Sequence, residues 1–263
     1  MDRLTELPDQ LLSQIDMLVE VIEAQAPQQP LDNLCNQVSD AYRAMGICLL
    51  LGAGEVDAFF HLLIQSALTR RFYLQRNGPE QLADPYRRTS LSGPYFDAVA
   101  ANQWELAQQI AELSPTSWWE GEEYEDDFAY ARAMHLLGAR KHLDRAALGR
   151  ALEQMARALE GAESPRFEIA RALASKDQKT FDGAFEALLD KHEQTYIEEE
   201  RSTLALEITF EPNRRLTVEG LAILRMAESF GLKTQPEYRF CPRLARGADY
   251  APFEPVGFPD VLP

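Results

Sequence analysis

The sequence predicts an all-α fold, helical hairpins packed as a bundle or repeat-like array, with an extended C-terminal tail rich in Pro and aromatic residues. Three observations point there. Apolar residues recur at steps of three and four over long windows, as in Leu4, Leu7, Leu11, Ile15, Leu18 and Ile22, the spacing of one face of a helix. Breakers and caps punctuate those windows, among them residues 26–30 (APQQP) and Ser164-Pro165. Strand-like alternation stands out as the exception, at Leu204, Leu206, Ile208 and Phe210.

Taken in order, a first amphipathic helix covers Arg3 to about Ala24 and is broken by residues 26–30. A second, Leu31 to Leu51, carries Leu34, Val38, Ala41, Met45 and Cys48 on one side and ends in the turn at 51–55. The third, Val56 to about Gln75, is nearly continuously apolar around FFHLLIQSAL, which fits a central helix packed on more than one side. Arg70, Arg71 and Arg76 suit its C-terminus, and Asn77-Gly78-Pro79 stops it. Residues 77–93 read as a polar, mobile loop. Ser92 and Pro94 then mark the start of a short helix, Tyr95 to Ala101. Across a turn at Asn102 lies its hairpin partner, Trp104 to Leu113.

Further helices cover Arg145 to Leu159, Arg166 to Ala174 behind Ser164-Pro165, and a long run capped by Asp177 through Phe181, Phe185, Leu188 and Leu189 towards Tyr196. From Tyr196 to Phe210 helix is favoured over strand, and Pro212-Asn213 is expected to end it. Thr217 caps a helix that buries Leu221, Ile223, Leu224 and Ala227 and closes at Phe230-Gly231. The last 30 residues lack a helical period and are too aromatic for ordinary disorder, so they are expected to lie extended against the helices. One all-helical domain over 1–263 is expected, with residues 1–76 as an N-terminal helical bundle and 92–263 as a further helical region.

A formal net charge of −16, from 26 basic and 42 acidic residues, argues against nucleic acid or an anionic membrane as partner and leaves a basic protein face as the favoured one. Cys35, Cys48 and Cys241 have no paired spacing, so neither a zinc site nor a disulfide framework is suggested. The N-terminal residues carry acids where a signal peptide would be basic and then apolar, and no window of 18 apolar residues occurs. A soluble, cytoplasmic protein is expected.

The charge is most concentrated in WWEGEEYEDDFAYARAMHLL, Trp118 to Leu137, where six of the eight residues from Glu120 to Asp127 are acidic. Phe128, Ala131, Met134 and Leu137 recur at threes, with Tyr124 four before Phe128, so the helix is expected to be apolar on one face from its first turn. Acids at a helix start suit the dipole, each by about 0.3–1 kcal/mol when exposed. That favours one or two carboxylates and leaves the others repelling each other. Three readings stand: a solvated helix start that keeps the chain soluble, internal pairs with Arg70 and Arg71 or Arg214 and Arg215, and a docking surface. For docking, Trp118, Trp119, Glu120, Glu122, Glu123, Glu125, Asp126 and Asp127 are the candidate contacts, aromatic area beside carboxylates that would steer a basic partner.

Nothing spells catalysis or calls for a cofactor. His61, His135, His142 and His192 are not arranged with carboxylates as metalloprotease ligands are, no G-x-S-x-G elbow is present, and residues 52–55 (GAGE) lack the lysine of a phosphate-binding loop. His61 inside FFHLL reads as a core histidine. Glu123 and Asp127, four apart, are the one pair that could share a divalent ion, with no second pair to complete the set.

From Tyr95 onward the order of features resembles the immunity protein 49 family: FDAVAANQWELAQQIAEL, then EYEDDFAYARAMHLL, then LTVEGLAILRMAESFGL and FCPRLA. The resemblance covers roughly the C-terminal two thirds. It implies an all-helical cytoplasmic antitoxin without enzymatic activity that binds and neutralises a cognate polymorphic toxin, of the kind delivered by type VI secretion, and it leaves the toxin's chemistry and the oligomeric state open. It also implies that part of EYEDDF is structural, with Tyr124, Phe128 and Tyr130 in the core. A helical-repeat adaptor for a cellular protein is the competing reading.

Overall fold

The computed structural model describes residues 3–25, 31, 33–76, 84–139, 142–247 and 250–252. Among these, eleven α-helices follow one another without a strand: α1 (Leu7–Gln25), α2 (Leu34–Ala53), α3 (Val56–Arg76), α4 (Gly93–Ala100), α5 (Trp104–Leu113), α6 (Glu125–Gly138), α7 (Arg145–Ala158), α8 (Pro165–Ser175), α9 (Gln178–Glu199), α10 (Phe210–Arg215) and α11 (Val218–Ser229). The all-α expectation holds. The breakers at 26–30 and 77–79 lie outside the described residues.

Capping follows the sequence signals at three starts, and Asp144 adds a cap not expected from the sequence. Asp144, Ser164, Asp177 and Thr217 accept from the backbone N–H of Ala147, Phe167, Thr180 and Gly220, each worth about 0.5–2 kcal/mol against alanine. Ser92 differs: it precedes α4 with a near-helical backbone and makes no side-chain cap bond, so Pro94 alone carries that start. Gly54 and Gly231 close α2 and α11 with positive φ, the left-handed conformation a helix C-terminus needs.

Two buried apolar clusters result. Leu4, Leu11, Ile15, Ile22 and Leu31 pack with Val38, Ala41 and Cys48 of α2 and with Phe72 and Tyr73 of α3. The larger cluster runs from the other side of α3 through α4, α5, α6, α8, α9 and α11. Helix α3 contributes to both, as its all-round apolar character predicts. Two glycines set how closely helices approach. A Cβ on Gly46 would sit 3.2 Å from the Phe59 carbonyl of α3, and one on Gly138 would fall inside the Tyr95 hydroxyl.

Several local expectations are corrected. Of the supposed polar loop at 77–93, residues 77–83 lie outside the described residues, but 84–92 is packed, with Arg87 and Thr89 buried and a 3-10 turn at Pro85–Arg87. The run from Tyr196 to Phe210 is neither one helix nor a strand: α9 ends at Glu199, and a 3-10 turn spans Thr203–Leu206. The alternation there is not a buried face, since Leu206 is 83% exposed and Leu204 is exposed too. Pro212 does not end a helix but sits in the first turn of α10, where its missing N–H is no loss. In the tail, Tyr238 and Cys241 pair by backbone hydrogen bonds, Phe240 lies on His192, and Tyr250 stacks on Phe60 at 4.7 Å. The described part of the tail packs on the helices as expected but is not extended throughout, since a 3-10 turn spans Arg243–Arg246, and residues 253–263 lie outside the described part.

Candidate functional site

The acidic stretch is built on a tier of hydrogen bonds that starts in α3. Arg70, fully buried, has no carboxylate in ion-pair contact among the described residues; its guanidinium donates to the carbonyls of Tyr86 (2.6 Å) and Arg88 (2.9 Å). Burial drives its pKa down to about 10. Tyr73 Oη donates to Asp84 (2.5 Å) and Arg87 to the Leu74 carbonyl (3.1 Å), so α3 fixes the whole 84–92 segment. That segment in turn holds the loop between α5 and α6. Thr89 donates to the Pro115 carbonyl (2.7 Å), Arg88 to the Glu122 carbonyl, and the Ser90 N–H to the Glu123 carboxylate (3.0 Å).

Within the loop, Trp118 Nε1 donates to the Glu123 carbonyl (3.0 Å) and the Trp119 N–H to the Glu123 carboxylate (3.4 Å). Both tryptophans are half-buried. The eight candidate residues therefore divide. Glu123 holds the loop, Glu125 accepts from Gln154 (2.9 Å), and Asp127 pairs with Arg166 (3.2 Å). Glu120 and Glu122 are exposed, and among the described residues no hydrogen bond or ion pair engages the carboxylates of Glu120, Glu122 or Asp126.

Tyr124 is a correction: it is 79% exposed rather than in the core, while Phe128 and Tyr130 are buried as expected. The helix begins one residue later than the spacing assumed. Tyr124 has an extended backbone (φ −70, ψ 137), so helical alignment with Phe128 does not apply to it. The suggested internal partners are also corrected. Arg70 turns to carbonyls, Arg71 to Gln109, and Arg214 and Arg215 to Glu211, so among the described residues it is Arg166 that pairs with a carboxylate of the stretch.

Arg166 joins three helices. It forms a two-pronged pair with Glu219 (2.8 and 2.7 Å), touches Asp127, and lies over the Tyr130 ring at 5.1 Å, while Tyr130 Oη donates to Glu219 (2.8 Å). Burial alone would raise the Glu219 pKa, but Arg166 and Tyr130 outweigh it and hold the carboxyl below its ordinary range. Burial pushes the Tyr130 hydroxyl well above its ordinary value, helped by Glu219. A second pair lies between α2 and α4. Asp97 is 0% exposed and accepts from Arg43 Nε and Nη2 (2.7 Å each) and from Ser66 Oγ (2.5 Å). Arg43 also reaches Asp40, and against the effect of burial the two aspartates raise its pKa.

Two clefts flank this frame. One of about 490 Å³ lies under the loop, lined by Arg87, Arg88, Leu113, Pro115, Trp118 and Trp119 among others. The other, about 510 Å³, runs between α9 and α11 past Arg43, Arg166, Lys191 and His192. Among the described residues no group of three or more His, Cys, Asp or Glu side chains could hold a metal ion, and Glu123 and Asp127 turn to different partners. No helix among them is long and apolar enough to cross a membrane. His61 is not a fully buried core residue; its Nε2 lies 2.8 Å from the Ala251 carbonyl at the tail.

The model of the family Immunity protein 49 matches residues 36–245. The chain belongs to the immunity protein 49 family. The match extends further towards the N-terminus than the motifs alone, taking in α2 and α3. No curated protein and no solved structure matches the chain. In this immunity protein several of the residues that carry the family resemblance turn inward. Asp97 of FDAV, Asp127 and Tyr130 of EYEDDFAYA and Glu219 of LTVEG sit in the two arginine networks, and Cys241 of FCPRLA packs on Gly220. Arg43, Arg166 and Ser66 were missed from sequence. Ser164-Pro165 placed Arg166 in a first turn, but its partners come from α6 and α11, which no local spacing reveals.

Proposed function

We propose that this immunity protein acts as a cytoplasmic antitoxin without enzymatic activity, binding a basic face of a cognate toxin through the exposed part of the loop before α6. One observation carries the reading: Glu123, Glu125 and Asp127 are engaged internally, while the carboxylates of Glu120 and Glu122 and the ring of Tyr124 are exposed on a loop held from beneath. Asp126, half-buried in the first turn of α6, has no side-chain hydrogen bond or ion pair among the described residues. A loop ordered from beneath loses little freedom on binding, and an exposed tyrosine among carboxylates supplies aromatic area beside charge that attracts Arg and Lys. A nuclease fits such a surface best, because a site made to grip phosphates presents the cations these carboxylates would meet.

The test is co-expression with the toxin encoded beside this gene. Cells should survive the toxin only when this chain is present, and the two proteins should co-purify. A neighbouring gene whose product is harmless, or a toxin that kills equally with and without the chain, refutes the proposal.

A further inference from the structure

We propose that the cleft beneath Trp118 and Trp119 receives an arginine side chain of the partner, an inference that rests on the toxin-binding reading and adds the chemistry of the anchoring residue. Most of the polar groups of this cleft are already matched. Asp84 is taken by Tyr73 Oη and the Tyr86 N–H, Arg87 by the Leu74 carbonyl, Arg88 by the Glu122 carbonyl, and Glu123 by Ser90 and Trp119. What it still offers is mainly apolar, Trp118 and Trp119 with Pro115 and Leu113, beside Thr116, Ser117 and the Arg88 Nε, which has no hydrogen-bond partner among the described residues. Its mouth is acidic. Glu112 lines it and is exposed, and Glu120 and Glu122 follow the tryptophans directly on the same held loop.

A flat apolar slot with carboxylates at its mouth suits a side chain with an apolar stem and a planar cation. A guanidinium stacks on an indole face, its methylenes cover the apolar wall, and its outer N–H groups reach carboxylates. Lysine is second best, because its ammonium is compact, strongly hydrated and does not stack. A partner phenylalanine would fill the slot and leave the acidic mouth unanswered. The volume, about 490 Å³, admits one such side chain with its flanking backbone.

The tryptophans report on the cleft themselves. In a Trp104→Phe background, whose helical melt confirms folding, fluorescence is titrated with the tetrapeptide amide Gly-Arg-Arg-Gly, its citrulline counterpart and Gly-Phe-Phe-Gly. The arginine peptide should give a saturable change, with binding at least ten-fold weaker for citrulline, for raised salt and for Trp119→Leu, and several-fold weaker for the exposed Glu112→Gln. An equal response to arginine and citrulline, no saturation, or tighter binding of the phenylalanine peptide overturns the proposal. Affinity for the neighbouring toxin separates the two levels. If Trp119→Leu binds it as tightly as the parent, the arginine anchor is wrong and the antitoxin reading stands. If the parent does not bind the toxin while the cleft still takes the arginine peptide, the antitoxin reading fails and the cleft's chemistry stands.

Discussion

Replacing Asp97 by Asn should be among the most costly single substitutions in the chain, although it changes one atom. The carboxylate has no solvent access, takes both prongs of Arg43 at 2.7 Å and also accepts from Ser66, while the Arg43 side chain is only 13% exposed. Asn keeps the shape but removes the charge, leaving a buried guanidinium facing an amide. Breaking a buried pair in this way costs about 3–5 kcal/mol. Asp40, half exposed, still holds one nitrogen of Arg43, so the lower end, about 3 kcal/mol, applies. At about 2–4 °C per kcal/mol for a chain approaching this size, the melting temperature should fall by about 6–12 °C. Urea unfolding with an unchanged slope gives the free energy directly. The double variant Arg43→Met with Asp97→Leu should be less destabilised than Asp97→Asn, because it leaves no charge behind. A loss below about 1 kcal/mol for Asp97→Asn, or a double variant worse than the single one, would refute the reasoning.

Three further outcomes follow from the same frame. Neither ring nitrogen of His135 has a hydrogen-bond partner among the described residues, and burial lowers its pKa from 6.5 to about 3. Between those values the unfolded chain takes up a proton that the folded one refuses, so this group makes stability fall by up to about 1.4 kcal/mol per pH unit as pH drops, with its effect fully favourable above 6.5. His135→Leu should remove that dependence, and melts at pH 7.5 and 5 for both proteins check it; equal pH slopes would sink the idea. Gly138→Ala should cost about 1–3 kcal/mol, because its Cβ meets the Tyr95 hydroxyl that donates to Met134. Gly149→Ala, in open space within α7, should instead add about 0.5–1 kcal/mol by helix propensity, so urea midpoints should move in opposite directions. Glu219→Gln should destabilise at neutral pH by losing the Arg166 pair. Since the Glu219 carboxyl is held below its ordinary 4.5, that difference should shrink as pH falls through and below that value, read as converging acid-unfolding curves.

Helix existence was legible because periodicity and caps are local, and the starts at Ser164, Asp177 and Thr217 needed only neighbouring residues. The candidate stretch was legible as a concentration of charge, yet its division into engaged and free carboxylates was not. Asp127 is held by an arginine 39 positions away and Glu123 by a backbone N–H 33 positions back, relations that only packing creates. Tyr124 misled for a local reason, since a spacing of four means a shared face only once the helix has begun. The helix favoured from Tyr196 to Phe210 stops at Glu199 and the segment closes into a 3-10 turn, where the alternating Leu204 and Leu206 are exposed and bury no face that would hold either a helix or a strand.

The most direct test reverses the charge of the exposed loop and of the first turn of α6, Glu120→Lys with Glu122→Lys and Asp126→Lys, and measures affinity for the cognate toxin at low and high salt. These side chains have no internal ion pair among the described residues, so the melting temperature should stay within a few degrees of the parent. Affinity should fall by at least a hundred-fold at low salt, with the gap to the parent narrowing as salt rises. Unchanged toxin affinity in a variant that melts like the parent would contradict the assignment of this loop as the contact surface.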